Sequence, residues 1–206
     1  MSRSDRPEPE SEIKKKILTG IIKDEAIVIS KHLITLSSGE KTHFYYDIKK
    51  ILGYPTALDL IADLMLNEVR KFKGKSVGGL EIGAIPIATS IMMKAHANNT
   101  TVSSFIVRKK AKDHGMKNTI EGNLIHPVVI VDDVVTSGRS VKEAIEAVRD
   151  KGKSVRGVVA VIDREDKENI LKKSRTRYVT LFKHTDFEEF IDAKLKNLRS
   201  NTSIRK

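Results

Sequence analysis

The sequence predicts an α/β protein: a mainly parallel, twisted sheet flanked by helices, with a small N-terminal hood. Three observations predict it. From residue 56 onward, segments of strand character alternate with segments of helical period, the pattern of a parallel sheet with right-handed crossovers. Within that alternation, Val128–Val131 is a short β-branched run suited to a fully buried strand, and an acidic pair, a small-residue turn and an amphipathic helix follow at once. Finally, 206 residues of which 39% are hydrophobic suffice for one α/β core with a small appendage, and no internal repeat is present.

In chain order, residues 1–11 are polar and charged with Pro7 and Pro9, and are expected to be disordered. Residues 12–55 form the expected hood: an amphipathic helix over Glu12–Ile22, strand-like runs at Ala26–Ile29 and His32–Leu36, a turn at Ser37-Ser38-Gly39, and a strand over Lys41–Ile48. Residues 56–198 form the expected core. Thr56–Val69 places Leu58, Ile61, Ala62, Met65 and Val69 on one helical face. Lys75–Ile82 is a strand, and Ile85–His96 a helix that tolerates Pro86 in its first turn. Thr101–Val107 is a strand, and Arg108–Asn123, basic and without a clean period, a long loop. After the central strand and a helix to Arg149 come a strand at Ser154–Ile162, a short helix at Ile170-Leu171, a strand at Tyr178–Phe182 and a C-terminal helix marked by Phe187, Phe190, Ile191, Leu195 and Leu198. Residues 199–206 are expected to be flexible.

Composition narrows the function. There is no cysteine, hence no disulfide framework and no Cys-based metal site, and no spacing of the HExxH kind joins the six histidines. The N-terminus does not resemble a signal peptide, and no apolar run approaches the roughly 20 residues needed to span a bilayer, so a cytoplasmic protein without membrane contact is expected. The net charge of +11, from 38 Lys+Arg against 27 Asp+Glu, permits nucleic-acid binding and equally suits a protein that draws in polyanionic small molecules. No zinc finger, RNA-binding signature or tryptophan accompanies it, so nucleic acid is not the expected partner.

The chemistry concentrates in VVIVDDVVTSGRSVKE, Val128–Glu143. In an open α/β sheet the turn after a strand's carboxyl end is where ligands bind, and a helix start presents free N–H groups to an anion. Gly138 has no Cβ to keep a phosphate off that backbone, and Thr136, Ser137 and Ser140 add hydroxyl donors. Asp132 and Asp133 repel a phosphate but accept hydrogen bonds from sugar hydroxyls or hold a divalent cation. A phosphate at one end and a diol or metal at the other describe a ribose 5-phosphate derivative. The bland alternative is an acidic first turn that only complements a helix dipole.

A second cluster, Arg108–Gly115 (RKKAKDHG), puts four cations and a histidine in a loop long enough to act as a lid. Such a lid suits a diphosphate whose charge grows as it departs; the alternative is a solvated basic loop.

VVIVDDVVTSGRS resembles the 5-phosphoribosyl 1-diphosphate (PRPP) motif of the type I phosphoribosyltransferases. The resemblance implies that family's fold, ribose binding by Asp132 and Asp133, and 5-phosphate binding by the loop through Val134, Val135, Thr136, Ser137, Gly138, Arg139 and Ser140. RKKAKDHG resembles the flexible catalytic loop of the orotate phosphoribosyltransferases. It implies that Arg108, Lys109 and His114 bind diphosphate, that Lys112 stands at the catalytic lysine's position, and that the loop completes the neighbouring site of a homodimer. Leu36–Asp47 resembles the base-binding segment, which puts Tyr45 and Tyr46 on its aromatic positions, although strand packing explains two tyrosines as well. Arg164 in IDRED, with Thr136, falls where orotate is bound. Two lysines of the pattern are replaced here, by Ser37 and by Gly83. The implied activity transfers the phosphoribosyl group of PRPP to orotate, giving orotidine 5′-phosphate and diphosphate for UMP synthesis. Mg²⁺ would be carried mainly by ligand oxygens, with no metal-binding side chains of the protein's own. The rival readings are a phosphoribosyltransferase for another base and a PRPP-sensing nucleic-acid-binding regulator.

Overall fold

Runs of β-branched residues long enough to cross a sheet, separated by segments of helical period, build a three-layer structure. The computed structural model describes residues 9–36, 39–109, 119–174 and 176–203. α1 (Glu10–Ile21) leads through one π-helical turn (Ile22–Ala26) into an antiparallel hairpin, β1 (Ile27–Thr35) and β2 (Lys41–Tyr46), followed by the single turn α2 (Ile48–Ile51). The core then runs α3 (Pro55–Lys71), β3 (Ser76–Leu80), α4 (Ala84–Ala97), β4 (Ser103–Val107), β5 (Ile120–Gly122), β6 (Val128–Val135), α5 (Arg139–Asp150), β7 (Val155–Asp163), β8 (Tyr178–Lys183) and α6 (Glu188–Ser203).

Six strands form one sheet in the order β5-β4-β3-β6-β7-β8. All neighbours are parallel except β5, which pairs antiparallel with β4. The mainly parallel sheet expected from the alternation is therefore present. β6 is buried on both faces because its side chains alternate between two apolar layers. Val129 and Val131 pack with Ile61, Met65 and Val69 of α3 and with Ile87 and Ile91 of α4. Val128 and Ile130 pack with Val141, Ala144, Ile145 and Val148 of α5.

Several elements differ from expectation. The first helix begins at Glu10, so residues 10–11 are helical, and α6 continues to Ser203. β5 lies within the segment read as loop; its three residues are too few to carry a period. The strand expected over Lys41–Ile48 stops at Tyr46, and Ile48 turns inward as the first residue of α2, fully buried. β6 extends through the acidic pair to Val135, because pairing with β7 continues past Asp132.

The strand order creates the site. β3 connects through α4 to β4 on one side, while β6 connects through α5 to β7 on the other, so the order reverses between β3 and β6. Their pairing ends at Gly78 with Ile130, and beyond it the two carboxyl ends open a crevice, the position where ligands bind in such sheets. Among the described residues, no helix is long and apolar enough to cross a membrane.

Candidate active site

The acidic pair sits on the last turn-out of β6 at that crevice. Both carboxylates are buried, Asp132 at 8% and Asp133 at 5% exposure. The Asp133 backbone N–H donates to Asp132 Oδ1 at 3.0 Å. Burial first, and then the Asp133 carboxylate beside it, push the Asp132 carboxyl well above the usual range. Asp133 is held on two sides. The ammonium of Lys49, on α2, donates to its Oδ2 at 2.6 Å. On the other side, a methyl group placed on Gly83 would lie 2.3 Å from its Oδ1. Desolvation pulls the Lys49 ammonium down, but the Asp133 carboxylate more than offsets this and its pKa is raised.

The loop after β6 closes a small hollow of about 40 Å³ lined by Asp132, Val134, Val135, Thr136, Ser137, Gly138, Arg139 and Ser140. A larger groove, about 710 Å³, lies between α3 and α4 and contains none of these residues. Gly138 begins α5 in the left-handed region, with φ of +78°. A Cβ there would meet Leu171 Cγ at 2.9 Å and Asn169 Oδ1 at 3.0 Å. The missing side chain thus also answers to backbone conformation and to the segment behind the loop. That segment is tied on: Ile170 N–H donates to Ser137 O at 3.0 Å, and fully buried Asn169 accepts from Leu171 N–H at 3.0 Å.

Arg164 follows β7, and its N–H donates to Val135 O at 2.9 Å, which places it beside the end of β6. Its side chain is 8% exposed, its guanidinium stands 5.0 Å above the Phe44 ring, and Nη2 lies 3.6 Å from Glu40 Oε2. Nη1 is buried with no hydrogen-bond partner among the described residues. The aromatic ring beside Arg164 is therefore Phe44. Tyr46 instead anchors the hood: its ring packs on His184 and Phe187, its hydroxyl lies 2.8 Å from His184 Nδ1, and burial raises its pKa. Tyr45 is half-buried on the opposite strand face from both.

Arg108 and Lys109 mark the root of the basic arm. Arg108 N–H donates to Thr119 O at 2.9 Å, and its guanidinium reaches Glu121 at 3.9 Å. Lys109 N–H donates to Glu81 Oε1 at 3.0 Å, which brings the arm's start against the β3–α4 connection. Lys112, Asp113 and His114 lie outside the described residues, as does Ser37. Lys49 and Asn169 carry no motif signal, while Phe44 lies in the base-binding segment beside the expected aromatic positions; contacts across the fold reveal all three.

The phosphoribosyl transferase domain model matches residues 47–196. An orotate phosphoribosyltransferase of Aquifex aeolicus is 38% identical over 177 residues, covering 83% of this chain and 96% of that protein. The chain belongs to the orotate phosphoribosyltransferase family. Solved members of this family share its architecture. A Mycobacterium tuberculosis orotate phosphoribosyltransferase in complex with Fe(III) dicitrate superposes with a TM-score of 0.71 at 34% identity, covering 84% of this chain and 98% of that one. The same organism's orotate phosphoribosyltransferase in complex with PRPP gives 0.69 at 30% identity, with 85% and 99% covered.

Proposed function

We infer that this chain is an orotate phosphoribosyltransferase: orotate and PRPP give orotidine 5′-phosphate and diphosphate, a step of UMP synthesis. The single observation that carries the reading is Arg164. A buried guanidinium with an unpaired Nη1, stacked over Phe44, at the same sheet edge as Asp132, Asp133 and the Thr136–Ser140 loop, is a receptor for a flat anion next to a sugar phosphate. Orotate carries a carboxylate for that guanidinium and a ring for Phe44.

In this reading the N–H groups at the start of α5, with Thr136, Ser137 and Ser140, hold the 5-phosphate, while Asp132 and Asp133 accept hydrogen bonds from the ribose hydroxyls. The bond from the anomeric carbon to diphosphate breaks, and the electron pair leaves with the diphosphate. Orotate N1 forms the new bond to that carbon as its own proton passes to the departing diphosphate, and the anionic substrate needs no strong general base. The arm from Arg108 and Lys109 through Lys112 to His114 meets the growing negative charge and excludes water. Among the described residues no three His, Cys, Asp or Glu side chains converge on a metal position. In this reading Mg²⁺ would be held mainly by diphosphate and ribose oxygens, where it would offset charge on the leaving group. The reading includes a homodimer whose arm completes the neighbouring site, and a cytoplasmic location. With orotate, PRPP and Mg²⁺, the protein should release diphosphate and form orotidine 5′-phosphate. Lys112→Ala should lower turnover by about 10²-fold or more while PRPP still binds; wild-type turnover in that variant removes the arm from catalysis.

A further inference from the structure

Lys49 lies outside every motif that carries the family resemblance, yet it makes the one close ionic contact between the hood and the acidic pair found among the described residues. Asp133 presents one oxygen to the Gly83 backbone and the other to Lys49 Nζ at 2.6 Å, so its orientation is set by both. The contact is also unequal: the lysine side chain is 58% exposed, whereas the aspartate is 7% exposed. Burying a carboxylate is costly unless it is paired and hydrogen-bonded, and a ribose brings hydroxyls but no cation. A carboxylate oxygen accepts hydrogen bonds, the role a sugar diol requires.

We propose that Lys49 is a positioning residue for sugar binding: reaching over from the hood, it holds the Asp133 carboxylate turned to receive the PRPP ribose. The proposal rests on the reading of the site as a PRPP site. Phe44 and Lys49 flank the end of β2, so one short piece of the hood touches both Arg164 at the end of β7 and Asp133 at the end of β6.

The test uses the full-length protein with Mg²⁺ and PRPP. Lys49→Met should raise KM for PRPP by about tenfold or more while kcat falls by less than about threefold, because the lost interaction acts on sugar binding. Lys49→Arg, which keeps the charge, should return KM to within about threefold of wild type. In calorimetric PRPP titrations, adding Lys49→Met to Asp133→Asn should weaken binding by less than about twofold, since the two residues act as one unit. A PRPP KM within about twofold of wild type in Lys49→Met, or full additivity in the double variant, overturns the proposal. Lys49→Gln repeats the test should the Met variant aggregate. A wild-type protein that binds PRPP but does not consume orotate contradicts the assigned reaction, and the calorimetric arm still decides the role of Lys49.

Discussion

Gly83→Ala would displace the Asp133 carboxylate with one methyl group. Gly83 precedes α4 with φ −60° and ψ −35°, ordinary helical values, so alanine meets no backbone penalty there. Gly83 is the N-cap residue, where glycine is preferred over alanine, so helix propensity gives the variant no gain. The new methyl, however, would lie 2.3 Å from Asp133 Oδ1 and 2.5 Å from its Cγ. Heavy atoms rest near ~3.5 Å, so the carboxylate must retreat by roughly 1 Å. It cannot retreat freely, because Lys49 holds its other oxygen at 2.6 Å and the residue is buried. A misplacement of about 1 Å in a reacting geometry costs on the order of 10²-fold, or about 2.7 kcal/mol of transition-state stabilisation. The assay pairs kcat/KM for PRPP with a thermal melt. The expected result is a variant that still folds, with its melting temperature lowered by the crowding at Asp133, and with kcat/KM down about 10²-fold. A folded variant with kcat/KM within about threefold of wild type refutes the claim that Asp133's position matters to the sugar. Gly83→Lys introduces the same Cβ and should behave no better.

Two further outcomes follow from the same geometry. Gly138→Ala combines a left-handed φ with contacts on Leu171 and Asn169, and should lower stability by about 1–2 kcal/mol in denaturant unfolding while weakening PRPP binding measured by calorimetry. Asp132 has a raised pKa, so the folded state binds its proton more tightly than the unfolded chain, and stability contributed by the protonated form is lost as pH rises from the ordinary aspartate range through the raised value. Asp132→Asn should therefore raise the denaturant midpoint at pH 7, lose that advantage near about pH 3 where both forms are neutral, and abolish turnover; a midpoint gain that does not shrink with pH contradicts the assignment of the strain to ionised Asp132.

The legible parts of this protein were those with a strong local period or a dense motif. The β-branched core strands and α5, with Val141, Ala144, Ile145 and Val148 on one face, are readable because burial imposes their spacing directly. The PRPP loop is readable because strand, acids, small residues and helix follow one another without a gap. The hood partners were not. Phe44, Tyr45 and Tyr46 are adjacent aromatics, and which of them meets Arg164 depends on the register of β2 and on how the hairpin lies over β7. Lys49 is one of two consecutive lysines, Lys49 and Lys50; one reaches Asp133 and the other Glu25, a choice made by the single turn of α2. A second demand on Gly138 was not legible, because Asn169 and Leu171, about thirty positions away, supply the contact that excludes a side chain.

The most direct measurement compares kcat/KM for orotate and for uracil, which differ by the carboxylate alone, in wild type and in Arg164→Met, with PRPP and Mg²⁺ saturating. A buried guanidinium that pairs with that carboxylate predicts a preference for orotate on the order of 10²-fold or more, collapsing in the variant while the KM for PRPP holds. Equal use of uracil by the wild type, or a preference that survives the loss of Arg164, would contradict the account.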